Sequence, residues 1–154
     1  MSGKKIGGAG LRGQSAGETS ICTVGVSGSG LTYRGFDIVD LAENTTFEEV
    51  AYLLLKGKLP NSQELKAYIE KLKTLRGLQP ELRSTLEGIP KTAHPMDVLR
   101  TGCSVLGNLE QEEGFINQTD HADRMLSAFP SILSYWYQYS HYGKRIDTET
   151  SDDT

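Results

Sequence analysis

The chain has 154 residues, a net charge of −4 and an isoelectric point near 5.4. This charge balance provides no positive field for nucleic acid or acidic lipid, and no apolar run approaches the ~20 residues that span a bilayer. The apolar fraction of 37% is too high for a disordered chain and low for a self-contained globule. We therefore expect a cytoplasmic domain, or part of a larger one, without nucleic-acid or membrane partners.

The first elements in chain order are a loose arm and a small β-hairpin. Residues 1–17 are rich in Gly and Ser and have no hydrophobic period, which predicts a flexible N-terminal arm. Two β-prone runs, Ile21–Val24 and Leu31–Tyr33, flank Gly28–Gly30 and predict a hairpin at about 19–34. A two-stranded hairpin is marginal alone, so we expect it to lie on a helical body.

The rest of the chain carries helix signals. Side chains that cap helix N-termini, capping boxes, first-turn prolines and terminal glycines mark the boundaries. We predict an all-α fold, with the helical body spanning residues 18–142 together with the hairpin. The markers are the cap Asp37, the boxes Thr46-x-x-Glu49 and Asn61-x-x-Glu64, the stops Gly57, Gly77 and Gly107, and the prolines Pro80 and Pro95.

The last predicted helix runs from about Asp120 to His141. Pro130 lies inside it and is predicted either to kink the helix or to divide it into two. The residues from 143 to 154 are polar and acidic, so we expect a frayed tail.

An aromatic cluster stands out in a chain that has only 8% aromatic residues. Tyr135, Trp136, Tyr137, Tyr139 and Tyr142 cover all faces of the last helix. One side is predicted to enter the core. The other side is either a protein interface, the interpretation we favour, or the wall of a ligand pocket.

The stretch "TAHPMDVLRTGCSVLG", residues 92–107, predicts a helix with a groove of small side chains. Its apolar stripe includes Met96, Leu99 and Leu106, and Gly102 and Cys103 lie beside Ser104. Small residues in the middle of a helix let another element approach closely.

The residues alone reveal no catalytic constellation. "GVSGSGLTYRG" lacks the lysine and the spacing of a phosphate-binding loop, so a hairpin turn explains it better. Cys22 and Cys103 belong to no metal-binding pattern, and we interpret them as buried free thiols. His94, His121 and His141 are expected to have structural roles, with His94 accepting a hydrogen bond at a helix N-cap. We expect no metal and no cofactor.

Five stretches in a fixed order resemble a known family. They are "TVGVSGSGLTYRGFDIVDLAE", "TFEEVAYLLLKGKLP", "LRGL", "HPMDVLRTGCSVLG" and "SILSYWYQYSHYGKRI". Together they resemble the N-terminal part of the citrate synthase family and look more like its bacterial 2-methylcitrate synthase branch than like plain citrate synthase. The likeness extends from about residue 11 to residue 150.

The resemblance implies a large helical domain, a smaller domain and a homodimer that condenses an acyl-CoA with oxaloacetate. In the 2-methylcitrate branch the acyl donor is propionyl-CoA, the products are 2-methylcitrate and CoA, and the pathway is propionate breakdown. Two histidines and an aspartate perform the acid–base chemistry in the family. They lie in motifs of the "HGGAN" and "GFGHxxY" kind, which do not occur in these 154 residues. We therefore assign no catalytic residue and expect the chain alone to be inactive.

The resemblance also suggests binding and interface residues. "GLRG" places Arg12 where an arginine contacts CoA in eukaryotic citrate synthases, although a solvated arginine in a mobile arm explains it equally well. The family's helix that begins "HPM" lies in the packing layer between subunits. This implies a dimer interface at Met96, Leu99, Gly102, Cys103 and Leu106.

Three functional hypotheses follow from the sequence. The first is the N-terminal portion of a 2-methylcitrate synthase. The second is a plain citrate synthase that uses acetyl-CoA. The third is a non-catalytic helical dimerisation module descended from such an enzyme.

Overall fold

A computed structural model describes residues 17–25, 30–111 and 117–150. They belong to two compact units, residues 1–59 and residues 60–154, and each is described by itself. The boundary between the units falls inside the helical body predicted over residues 18–142, and the predicted domain limits stay a prediction. Within the described ranges, every helix is too short or too polar to cross a membrane.

The first unit contains a three-stranded antiparallel sheet whose strands neighbour one another in chain order. Thr23 pairs with Thr32, and Thr32 pairs in turn with Asp37. The predicted hairpin is confirmed, whereas the third strand was not predicted. Of the turn predicted at residues 28–30, residues 28 and 29 lie outside the described ranges. The strands are β1 (Cys22–Val24), β2 (Leu31–Tyr33) and β3 (Phe36–Asp37).

The third strand forms because the chain reverses sharply at Arg34 and Gly35. Both residues have positive φ, 50° and 90°, which suits a two-residue turn between antiparallel strands. The Arg34 side chain stabilises this unusual backbone through its hydrogen bonds. Its guanidinium donates to Ser20 Oγ at 2.6 Å and to the carbonyl of Leu54 at 2.9 Å.

A short helix, α1 (Ile38–Asn44), follows the sheet directly. As predicted, Asp37 is its N-cap, and its carboxylate accepts a hydrogen bond from the Val39 amide at 2.8 Å. Leu41 is 3% exposed, whereas Val39 is 57% exposed. One buried side chain therefore anchors this helix.

Helix α2 (Phe47–Lys56) has both predicted boundary signals. Thr46 and Glu49 form a reciprocal capping box, with the Thr46 amide donating to Glu49 at 2.7 Å. Gly57 ends the helix with a φ of 84°, a conformation that residues with a Cβ rarely adopt. Leu53 is its fully buried side chain.

The second unit consists of four described helices. The capping box of Asn61 and Glu64 starts the first of them, as predicted. This helix ends at Thr74, with Leu75 as the C-cap, so the stop predicted at Gly77 is displaced. The helices are α3 (Ser62–Thr74), α4 (Pro80–Glu87), α5 (Pro95–Leu109) and α6 (Gln118–Tyr142).

The two helices that begin with proline match the sequence prediction at their N-termini. Pro80 and Pro95 occupy the first helical positions of α4 and α5. His94 caps α5, because its Nδ1 accepts a hydrogen bond from the Met96 amide at 3.2 Å. Helix α5 continues past Gly107, so the stop predicted there is wrong.

Helix α6 is continuous through Pro130. The alternative that divides it into two helices is therefore wrong. Proline lacks an amide hydrogen, so one hydrogen bond of the helical ladder is absent at this turn. Packing on α4 and α5 compensates for that loss, and the kink stays a prediction.

The core of the second unit lies where α6 packs against α4 and α5, while α3 packs against another part of α6. Leucine and aromatic side chains dominate this core, with little solvent exposure. Its buried members are Leu78, Leu82, Leu86, Val98, Leu106, Ala128, Ile132, Tyr135 and Trp136.

The segment after α6 differs from the predicted frayed tail over residues 143–150. Ile146 packs against the core, and Thr148 is 5% exposed. Arg145 donates to both carboxylate oxygens of Glu87, at 2.7 and 2.8 Å. A polar sequence is held in place here by an ion pair, by the partly buried Ile146 and by the buried Thr148. Residues 151–154 lie outside the described ranges.

Candidate functional site

The five residues predicted for a subunit interface lie on different sides of α5. Met96 is 63% exposed, and Cys103 is half-buried. Leu106 belongs to the core at 4% exposure, and Leu99 packs against that core from its edge. Gly102 is buried as well. The set is therefore split between the solvent-facing and core-facing sides of one helix.

Gly102 lets α6 approach α5 closely. A Cβ on Gly102 would lie 3.0 Å from both Cδ1 and Cγ2 of Ile132, closer than side chains normally pack. Ile132 is fully buried. The small residue predicted to admit a partner helix thus admits a helix of the same chain. The contact of α5 with a second subunit stays a proposal.

A cavity of about 490 Å³ is lined by residues of α5 and α6. Leu106 and Met125 contribute apolar walls, and Cys103 and His121 contribute polar atoms. Nε2 of His121 is buried there without a hydrogen-bond partner, and the Cys103 thiol is free. Because His121 Nε2 makes no hydrogen bond to the Cys103 thiol, this nitrogen does not activate the thiol as a nucleophile.

Arg124 connects three segments of the second unit. Its side chain is 11% exposed, and its Nε donates to both oxygens of Glu110 at 3.0 and 3.2 Å. Its Nη1 donates to the carbonyl of Leu75, while Gln79 donates to Glu110 at 3.1 Å. This largely buried ion pair holds the residues after α3 against α6 and the end of α5, so we assign it a structural role.

Arg124 also lines a larger cavity of about 870 Å³. Its lining includes the cations Lys73 and Arg83 and the carboxylates Glu70 and Glu149. Lys73 and Glu70 form an ion pair at 3.2 Å. The lining therefore carries both signs of charge, unlike a cationic site that recognises phosphate groups.

A buried carboxylate joins α3 to α6. Asp123 is 0% exposed, and it accepts hydrogen bonds from the hydroxyl of Tyr68 at 2.8 Å and from Lys71 at 2.7 Å. Lys71 also donates to Asp120 at 2.6 Å. Burial lowers the pKa of Lys71, but its hydrogen bonds to these carboxylates outweigh that effect and raise the pKa. The network satisfies a charge that would otherwise be costly to bury.

The sequence analysis missed this network, although α6 carried a signal for it. Asp123 lies one helical turn before Ser127, and both residues are buried on the same side of α6. A carboxylate on the core-facing stripe of a helix requires a partner from another element. Its partners Tyr68 and Lys71 are distant in sequence, so local patterns did not identify them.

The aromatic cluster is divided as predicted between core and surface. Tyr135 and Trp136 are buried at 1% and 3% exposure, whereas Tyr137 and Tyr142 are 45% and 67% exposed. The ring of His141 stacks on Tyr137 with centroids 4.2 Å apart. The outer side presents a continuous aromatic surface. Its use as an interface or a pocket wall stays a prediction.

Arg12 lies outside the described residues, so its proposed contact with CoA has no structural counterpart here. In the described ranges, no group of three or more His, Cys, Asp and Glu side chains has the geometry of a metal site. His94 has the N-cap role expected of it. The described residues bring together helix packing, two cavities and an aromatic surface, and they present no acid–base pair in position for catalysis.

The chain is similar to named condensing enzymes. The 2-methylcitrate synthase of Shewanella oneidensis is 67% identical over 150 residues, which are 97% of this chain and 40% of that protein. The 2-methylcitrate synthase 2 of Corynebacterium glutamicum is 39% identical over 81% of this chain and 33% of its own length. The chain thus spans 40% or less of these curated relatives.

Solved structures show the same fold. The citrate synthase of Thermotoga maritima superposes with a TM-score of 0.76 at 38% identity, over 90% of this chain and 36% of that one. The citrate synthase of Pyrobaculum aerophilum gives a TM-score of 0.70 at 24% identity, over 89% of this chain and 42% of that one, which is evidence for the fold alone. The family model described as citrate synthase, C-terminal domain, matches residues 10–154. The chain therefore belongs to the citrate synthase family.

Proposed function

We propose that this chain is the N-terminal portion of a cytoplasmic 2-methylcitrate synthase. The complete enzyme would condense propionyl-CoA with oxaloacetate to give 2-methylcitrate and CoA in propionate breakdown. The observation that carries the proposal is the 67% identity to the Shewanella oneidensis 2-methylcitrate synthase over nearly the whole chain. Because that match covers 40% of the relative, the activity belongs to the proposed complete enzyme.

Within that enzyme, the described residues would supply the scaffold. The buried Asp123 network fixes α3 on α6, and Gly102 fixes α5 on α6. The residues that would perform the acid–base chemistry lie in motifs that the 154 residues do not contain. Arg12 remains our candidate for a contact with the phosphates of CoA.

The proposed enzyme is a homodimer with α5 at the subunit contact. Met96 is the exposed member of the predicted interface set, whereas Gly102 and Leu106 support the helix from inside. Met96→Glu would place a charge in that contact. We expect this substitution to shift the proposed dimer toward monomer in analytical ultracentrifugation. An unchanged dimer would show that Met96 does not lie in the interface.

A chimera tests the proposed function. The matching 150 residues of the Shewanella oneidensis enzyme are replaced by this chain, and CoA release is measured with oxaloacetate and either propionyl-CoA or acetyl-CoA. We expect release that is faster with propionyl-CoA, with the intact relative as the control. Release that is faster with acetyl-CoA would favour the plain citrate synthase. A folded dimeric chimera without activity would favour the dimerisation module.

A further inference from the structure

Residues 144–150 run beside α4 with a matched pattern of charge. Helix α4 presents Arg83 and Glu87, which are one helical turn apart, and the segment presents Arg145 and Glu149. Arg145 binds both carboxylate oxygens of Glu87, and Arg83 Nη2 lies 3.5 Å from Glu149 Oε1. Each end of the contact thus pairs opposite charges, and reversing the segment would pair like charges at both ends.

The middle of the segment is held by burial. Ile146 packs against the core, and Thr148 is 5% exposed. Arg76 donates to the carbonyl of Thr150 at 3.3 Å. Charge therefore fixes the two ends, and the partly buried Ile146 and the buried Thr148 hold the centre.

The docked segment leaves two polar atoms unsatisfied. Oγ1 of Thr148 and Nε of Arg83 are both buried without a hydrogen-bond partner. Water would satisfy both atoms if the segment moved away from α4, so docking carries their desolvation cost. The two ion pairs must offset this cost, and salt weakens pairs that water can reach. Their partners on the segment, Arg145 and Glu149, are 67% and 70% exposed, whereas Glu87 and Arg83 on α4 are 18% and 33% exposed.

The same segment forms one wall of the larger cavity. Glu149 and Thr150 line it together with Arg124. Cγ of Glu149 lies 3.1 Å from the position that a Cβ on Gly77 would occupy, so the segment closes tightly against this loop. Movement of the segment would therefore widen the 870 Å³ cavity.

We propose that residues 144–150 are a strap that detaches from α4 as a unit and opens the larger cavity when ionic strength weakens its two ion pairs. The proposal rests on the contacts of this strap and is independent of the reaction of the complete enzyme. Charge holds the strap in one register, and docking leaves one unsatisfied polar atom on the strap and one on α4, which favours an equilibrium between a docked and a detached state.

Hydrogen exchange of the strap amides in the 154-residue chain tests the proposal. Between low and high salt, we expect exchange at residues 146–149 to accelerate by roughly 3- to 10-fold, because salt screens two ion pairs whose partners on the strap are exposed. Amides in the middle of α6 should not accelerate. Salt-independent exchange of the strap, or equal acceleration of strap and α6, would overturn the proposal.

Charge exchange provides the second test. Arg83→Glu places two carboxylates together and should accelerate strap exchange at low salt. Adding Glu149→Arg restores the opposite pair, and exchange should return toward that of the unchanged chain. The matched control is Asp97→Arg with Arg100→Glu, an exposed pair within α5 at 3.2 Å. A double variant no slower than Arg83→Glu alone, or an equal effect of the control, would contradict the strap.

Discussion

The two units of this chain are stabilised in different ways. Among the described residues, the first unit buries two large hydrophobic side chains, Leu41 and Leu53, and exposes six others. The second unit buries eleven hydrophobic side chains and exposes five large ones. The first unit depends on local devices such as the turn at Arg34 and the capping box of Thr46. The second depends on contacts between residues distant in sequence.

This difference suggests how the chain would serve a larger enzyme. Exposed apolar groups in the first unit are available to pack against other parts of a longer protein, as our proposal requires. Among its described residues, the second unit instead buries more large apolar side chains in its own core than it exposes to solvent. The exposed members in the first unit are Ile21, Val24, Phe36, Val39, Phe47 and Leu55.

The largest expected loss of stability comes from a substitution that leaves a void in the core of the second unit. Leu82 is 0% exposed, so Leu82→Ala should lower the free energy of unfolding by about 2–5 kcal/mol. In the first unit, Leu55 is 37% exposed, and Leu55→Ala should change the free energy of unfolding by no more than about 0.5 kcal/mol. Urea unfolding measures both. Equal losses would break the contrast between the units.

The next largest loss of stability is expected from overpacking the contact between Gly102 and Ile132. Gly102→Leu should overpack this contact and destabilise the chain by about 1–3 kcal/mol. The matched control is Gly107→Ala in the same helix, where a Cβ meets nothing within 4 Å. It should stabilise the chain by about 0.5–1 kcal/mol, because alanine favours helix. A neutral Gly102→Leu would show that α5 and α6 are loosely packed.

A smaller loss of stability is expected from removing the capping box of α2 in the first unit. Thr46→Ala removes the capping box of α2 and should cost about 1 kcal/mol, seen as faster hydrogen exchange in the first turn of that helix. Thr101→Ala is the control, because the Thr101 hydroxyl bonds back to the carbonyl of Asp97 within α5. It should change stability by no more than about 0.5 kcal/mol. Unchanged exchange in α2 would show that the box is dispensable.

Acid should weaken the second unit through Glu87. Hydrogen bonds from Arg145 and Tyr135 lower the pKa of Glu87 from 4.5 to about 2. A carboxyl with a lowered folded-state pKa stabilises the fold above pH 4.5, and this contribution is lost as the pH falls toward 2. Glu87→Gln should therefore reduce the pH dependence of unfolding over that range. An identical pH profile in the variant would contradict the assignment.

The sequence predicted the helix starts well because capping is local. Asp37, Thr46, Asn61 and Pro95 each begin a helix through contacts within a few residues. Helix ends were less predictable, as α5 continues past Gly107 to Leu109 although glycine has a low helix propensity and residues 107–109 are exposed.

The candidate site was predicted only in part. The helix that carries the interface set formed as expected, but the residue that fills the groove at Gly102 is Ile132, which no local pattern identifies. The pairing of Glu87 with Arg145 was missed for the same reason, since 58 residues separate the partners. Long-range partners depend on how the helices pack.

The most direct test of the account is CoA release by the 154-residue chain alone, with oxaloacetate and either propionyl-CoA or acetyl-CoA. Our proposal predicts no release from either acyl-CoA, because the family resemblance implies acid–base residues in motifs of the "HGGAN" and "GFGHxxY" kind, and these 154 residues contain neither string. Release that exceeds the uncatalysed rate, and is faster with propionyl-CoA, would support the substrate class. The same result would contradict our view that these residues supply only the scaffold.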